Sequence, residues 1–162
     1  MRYVMKQKFF SLGDSFAIRN EEGQEVFIAQ GKVISFGDQL TLRDASGEEV
    51  AYIRQKVFSW GPTYEIYRGG QLFAVVKKKL FTFFKHVFTV DVPGPDDLEA
   101  VGDFLDYEYE FRRGDTVVGR ISKKFFSWSD TYGIEVVDPA DALVILTATV
   151  VIDAICHDEQ DD

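Results

Sequence analysis

Cysteine is almost absent. Cys156 stands alone, so no intrachain disulfide can form, and a reducing, cytoplasmic setting is expected. Histidine is nearly as scarce. His86 and His157 lie far apart, and no Cys/His cluster has metal-ligand spacing, so neither a metal nor a cofactor is expected. Positive charge is short: 18 Lys and Arg stand against 27 Asp and Glu, for a net charge of −9. That argues against nonspecific nucleic-acid binding, which needs broad positive potential. Long apolar runs are missing too. Met1 to Phe10 lacks the apolar core of a signal peptide. The longest uncharged apolar stretch, Ala142 to Ile152, is eleven residues. A membrane span needs roughly 18 or more, so no transmembrane segment is expected.

What is abundant is the aromatic ring. Aromatics make up 15% of the chain and Phe occurs 15 times, which suits half-buried pleated surfaces. The rings recur in a repeated motif. Lys8-Phe9-Phe10-Ser11-Leu12-Gly13-Asp14 is matched by Lys32-Val33-Ile34-Ser35-Phe36-Gly37-Asp38. Lys56-Val57-Phe58-Ser59-Trp60-Gly61-Pro62 and Lys124-Phe125-Phe126-Ser127-Trp128-Ser129-Asp130 match again. Looser copies begin at Lys79 and Gly102. The six starts (8, 32, 56, 79, 102 and 124) are 22 to 24 residues apart, the mark of a repeat architecture.

Each unit predicts two strands. Phe10, Leu12, Phe16 and Ile18 share one parity, as do Phe58, Trp60, Tyr64 and Ile66, and again Phe126, Trp128, Tyr132 and Ile134. Period-two alternation places them on one core-facing side. Turn signals such as Asn20-Glu21-Glu22-Gly23, Asp44-Ala45-Ser46-Gly47, Gly69-Gly70 and Arg113-Gly114 divide each unit. Two strands in each of six units predict about twelve antiparallel strands.

The end of the chain departs from this pattern. Asp138 suits an N-cap, Pro139 the first helical position and Asp141 the positive helix end. The spacing predicts a helix over about 139–156, apolar on every side and so buried all round. A wide barrel can hold such a helix. The expected architecture is a mainly β, twelve-stranded antiparallel closed barrel around one C-terminal helix. Residues 1–157 form the domain and 158–162 an acidic tail.

The repeated Lys-x-Phe-Ser-x-Gly-Asp motif, the stretch Lys123 to Ile134 and the apolar tail resemble the LURP-one-related family. The resemblance covers nearly the whole chain. It implies the tubby C-terminal-like fold, a twelve-stranded barrel around a central C-terminal helix, and a relation to phospholipid scramblases. Tubby domains bind phosphoinositide headgroups, but their basic site has no residue-by-residue match here. The resemblance brings no catalytic residues with it.

Ser11, Ser35, Ser59 and Ser127 occupy the same place in four units, as do Asp14, Asp38 and Asp130 in three. An active site needs one such residue, so repetition assigns them to turn geometry, and no catalytic residue is expected. Gly69-Gly70 is a hairpin turn rather than a phosphate loop, because no helix follows it. The basic residues carry the functional hint. Lys8, Lys32, Lys56, Lys79 and Lys124 open five units and share parity with the core aromatics. They form a basic rim at one barrel mouth, are turned outward by a bulge that breaks the parity, or are solvated or paired with carboxylates such as Asp153 or with the helix termini. The densest basic-aromatic patch is Lys77, Lys78, Lys79, Lys85 and His86, the candidate contact for an anionic ligand or lipid. The chain reads as a noncatalytic binding or scaffold module, for a phospholipid headgroup or a protein partner. The alternative is a scramblase-like or enzymatic protein at the membrane surface. That requires a cleft with perturbed titratable groups, or a cysteine cluster with a lipid anchor.

Overall fold

The computed structural model describes residues 1–6, 15–34, 37–56, 61–79, 87–92, 96–124 and 131–158. Twelve strands follow in chain order: β1 (Arg2–Lys6), β2 (Ser15–Asn20), β3 (Glu25–Ile34), β4 (Gly37–Asp44), β5 (Glu49–Gln55), β6 (Thr63–Arg68), β7 (Gln71–Lys78), β8 (Val87–Asp91), β9 (Leu98–Asp103), β10 (Glu108–Arg113), β11 (Thr116–Ser122) and β12 (Thr131–Val136). Each is antiparallel to its neighbours, and β1 pairs with both β2 and β12, which closes the barrel. The sequence repeat therefore closes unevenly. The sixth unit supplies only β12, and the N-terminal β1 takes the place of its second strand.

The repeat is also visible in turn chemistry. Asn20 Oδ1 accepts from the backbone N–H of Glu22 and Gln24, at 3.0 and 2.9 Å. Twenty-four residues later, Asp44 Oδ1 accepts from the N–H of Ser46 and Glu48, at 2.9 and 3.1 Å. Both are side-chain-built turns of the type these residues favour.

Four hairpins carry a bulge at the same place. The register shifts after Ile18, Leu42, Ile66 and Phe111, where Val26, Val50, Phe73 and Val118 on the returning strand have no opposite number. A bulge increases local twist and bends the strand, as barrel closure requires. It also changes which parity faces inward. Leu40 and Leu42 are buried on β4, whereas Ala51 and Ile53 are buried on β5.

Across each of three of these hairpins a large core residue faces a small one: Leu42 opposite Ala51, Ile66 opposite Ala74, Phe111 opposite Gly119. The small partners make room for the helix α1 (Ala142–Asp158). A Cβ added to Gly119 would lie 2.9 Å from Ile145 Cδ1, so sheet and helix meet there without spare space. Residues 144–155 of α1 are all buried, more than three turns with no solvent face. The segment Pro139–Cys156 is long and apolar enough to cross a membrane by length and composition, but two thirds of it is buried inside the barrel. Thr147 and Thr149 fit this apolar setting because their hydroxyls donate to the backbone oxygens of Leu143 and Ile145, both at 2.7 Å.

The helix start differs in detail from expectation. Asp138 caps as anticipated, its Oδ1 accepting from Ala140 N at 2.9 Å, but it opens a 3-10 turn at Pro139–Asp141. The α-helix begins only at Ala142 and runs two residues beyond 156, so Asp158 belongs to the helix rather than to the acidic tail. Residues 159–162 of that tail lie outside the described residues.

Candidate functional site

Antiparallel connectivity sorts the chain's connections between two barrel mouths. The segments β1–β2, β3–β4, β5–β6, β7–β8, β9–β10 and β11–β12 join strands at one mouth, where α1 also ends. The remaining hairpins and the start of α1 occupy the other. The eight lysines among the described residues belong to the first mouth, in its connecting segments or in the closing part of a strand that runs into it. Lys6, Lys32, Lys56, Lys77, Lys78, Lys79, Lys123 and Lys124 are among the described residues. Lys8, Lys85 and His86 are not, nor are Ser11, Ser35, Ser59 and Ser127. The second mouth is rich in acid: Glu21, Glu22, Asp44, Glu48, Asp96, Asp97, Asp115, Asp138 and Asp141 all lie in its connections. The separation is one of lysine rather than of all charge, because Arg2, Arg19, Arg43, Arg68, Arg112 and Arg113 stand toward the second mouth, and Asp103, Asp106, Glu108 and Asp153 toward the first.

Lys56, Lys77, Lys79 and Lys124 face outward, the alternative in which the parity of the aromatics does not extend to the lysines. Lys56 continues the outer row of β5 after Tyr52 and Arg54, and Lys79 continues the outer row of β7 after Val75 and Lys77. Both are exposed, as is Lys124 after β11. The alternation of the preceding strand decides their direction, not that of the aromatics that follow. Of the predicted patch, Lys77 is exposed and Lys78 half-buried. Lys79 Nζ lies 2.9 Å from Glu99 Oε1, an exposed pair of modest worth.

Beneath this mouth, α1 carries its one buried charge. Asp153 accepts a hydrogen bond from Tyr107 Oη at 2.8 Å, and Tyr132 Oη lies 3.5 Å from its other oxygen. The two rings stack with centroids 4.5 Å apart. Lys123 Nζ sits 4.9 Å above the Tyr107 ring, and its backbone N–H donates to Glu108 Oε1, which also accepts from Ser122 Oγ at 2.8 Å. Tyr107 has φ +55°, the one non-glycine residue in the left-handed region among those described. That strain puts its hydroxyl on the helix and its ring under Lys123. In the sequence, the only signal of this cluster was a lone Asp in an apolar helix.

Burial, together with the negative charge of Asp153, pushes the hydroxyls of Tyr107, Tyr109 and Tyr132 well above the ordinary tyrosine range. These groups stay protonated when folded but ionise near pH 10 when unfolded. Their contribution is thus complete below about pH 10 and is lost as pH rises beyond it. Three such groups should steepen the loss toward roughly 4 kcal/mol per pH unit, about 1.4 for each. Tyrosinate absorbance and far-ultraviolet circular dichroism should change together in alkali. Ionisation of all seven tyrosines with the fold intact would contradict this assignment.

A family model described as LURP-one-related matches residues 1–153. The uncharacterized protein YxjI of Bacillus subtilis (strain 168) is 35% identical over 158 residues, spanning 98% of this chain and 95% of that protein. The X-ray structure of a protein from Arabidopsis thaliana shares 18% identity with a TM-score of 0.65, covering 94% of this chain and 91% of its own. At that identity the likeness concerns the fold alone.

Proposed function

The chain belongs to the LURP-one-related family, and from that premise we propose that it is a noncatalytic binding module whose lysine-bearing mouth meets anionic phospholipid headgroups. The observation that supports this reading is the gathering of every described lysine at one mouth while acidic turns gather at the other. A barrel of this kind can present positive potential to a charged bilayer despite its negative total. The helix supports a binding role in another way, since it fills the barrel interior and leaves contact to the outer surface. The protein would then be cytoplasmic and peripheral to the membrane. An enzymatic or scramblase-like reading has less support. The strongly shifted groups among the described residues surround Asp153, and they are buried tyrosines held protonated.

Binding should be weak and salt-sensitive. Each lysine near an anionic surface contributes about 1 kcal/mol. The Debye length falls from about 10 Å at 0.1 M salt to about 3 Å at 1 M, so high salt should abolish it. The test is co-sedimentation with vesicles of phosphatidylcholine, with and without phosphatidylserine. The native chain is compared with a variant carrying Lys77→Gln, Lys78→Gln, Lys79→Gln and Lys85→Gln. Selective, salt-sensitive binding that the variant loses supports the proposal. A native chain that ignores the anionic vesicles, or a variant that binds equally, removes the lipid and leaves a protein partner as the occupant to seek.

A further inference from the structure

On the outer wall, β5 and β6 form a groove of about 290 Å³ lined by Glu49, Tyr52, Arg54, Tyr67, Gly69 and Gly70. It runs toward the acidic mouth, because Glu49 opens β5 there and Gly69-Gly70 turns β6 into β7. Tyr52 and Tyr67 are cross-strand partners, their ring centroids 6.4 Å apart at an interplanar angle of 43°. Arg54 lies across this surface. Its Nη2 is 3.2 Å from Glu65 Oε1 and 3.1 Å from Tyr67 Oη, and its guanidinium carbon is 5.4 Å from the centre of the Tyr67 ring. A guanidinium on an aromatic face beside a carboxylate is thus an arrangement the groove already accommodates.

The charge balance leaves room for a second cation. Glu65 neutralises Arg54, whereas Glu49 has no cationic partner among the described residues. Arg43, opposite Glu49 in the sheet, is engaged with Gln30 and with the backbone oxygen of Gly47. Arg68 is turned over the Phe73 ring. Tyr and Arg are the residue types that most often anchor protein contacts, and the volume suits one side chain rather than a large ligand.

We infer that this groove is a docking site for an arginine side chain of a basic protein partner, laid against the outer faces of Tyr52 and Tyr67 and paired with Glu49. The site is separate from the lysine-bearing mouth, so a chain resting on a membrane by that mouth would still offer the groove. Its test uses no lipid, and its failure would leave the vesicle result untouched.

The experiment is a nuclear magnetic resonance titration of the isotope-labelled full chain with acetyl-Gly-Arg-Gly-amide. A peptide with citrulline, the neutral counterpart of arginine, serves as control. The arginine peptide should shift the amides of Glu49, Tyr52, Tyr67, Gly69 and Gly70 saturably, and the citrulline peptide should not. Glu49→Gln and Tyr52→Leu, both on the outer wall, should each weaken binding about threefold, in keeping with exposed ion pairs and cation–π contacts. Shifts scattered over the acidic mouth, equal shifts with citrulline, or indifference to both substitutions would overturn the assignment.

Discussion

Deleting residues 138–162 yields an insoluble or molten chain. The deletion takes away Val144, Ile145, Leu146, Val150, Val151, Ile152 and Ile155, all buried. Each large aliphatic side chain is worth about 1.5–3 kcal/mol when fully buried. Seven together exceed the roughly 5–15 kcal/mol by which a domain is usually stable. The loss is felt on both sides, because Leu42, Ile66, Phe88, Phe111 and Ile134 face the space that the helix fills. Their small neighbours Ala51, Ala74 and Gly119 are sized to a helix and cannot refill it. Two anchoring contacts disappear as well, the paired hydrogen bonds from Arg113 to Asp141 and the tyrosine cluster on Asp153. Gel filtration, dye binding and thermal melting by circular dichroism report the outcome. A soluble monomer that melts cooperatively would show that the barrel closes without its helix.

Gly102→Ala should be far more damaging than a single added methyl group usually is. Gly102 sits on β9 with φ +145°, a conformation that L side chains rarely adopt. An added Cβ would lie 2.6 Å from both Glu108 O and Tyr109 Cα. Tyr109 is its cross-strand partner, so the clash is relieved only by parting β9 from β10. Strain and overpacking each cost about 1–3 kcal/mol, for a total of about 3 kcal/mol or more. For a chain of this size that lowers the melting temperature by roughly 10 °C. Gly119→Ala is the instructive contrast. Its new methyl meets the far end of Ile145 at 2.9 Å, and that side chain can rotate aside. Its cost should stay below about 1.5 kcal/mol. Equal melting temperatures for the two variants would refute the claim that backbone contact, rather than added volume, sets the cost.

Much of the architecture was legible in sequence because it is local and repeated. Six motif starts announced twelve strands, and the residues that make turns and caps, Asn20, Asp44 and Asp138, do so by bonding to backbone two to four residues away. The helix was readable because an apolar segment with no polar face has to be enclosed, and a barrel of this strand number can enclose it. The aromatics whose parity pointed inward and whose burial the structure describes, Tyr64 and Tyr132, are buried. Others in that series, such as Phe10, Phe58, Trp60, Phe126 and Trp128, lie outside the described residues.

The direction of the lysines was decided only by tertiary structure. Parity carried back from Tyr64 would put Lys56 on the core side, where an unpaired ammonium cannot sit. Between them the alternation is reset, because β5 buries odd positions and β6 even ones. The alternation of neither strand records that reset, since the β5–β6 ladder runs without a register shift and the change of parity is fixed only by which residues pair across it. Closure is equally nonlocal: β1 pairs with β12 across more than a hundred residues, and their spacing in sequence says nothing of it. The same holds for Asp153 with Tyr107, 46 residues apart, and for the groove, whose walls belong to two strands. Composition settled that the chain is acidic. The up-and-down path of the barrel settled where its lysines gather, because successive turns alternate between mouths and the lysines recur at the period of one complete excursion.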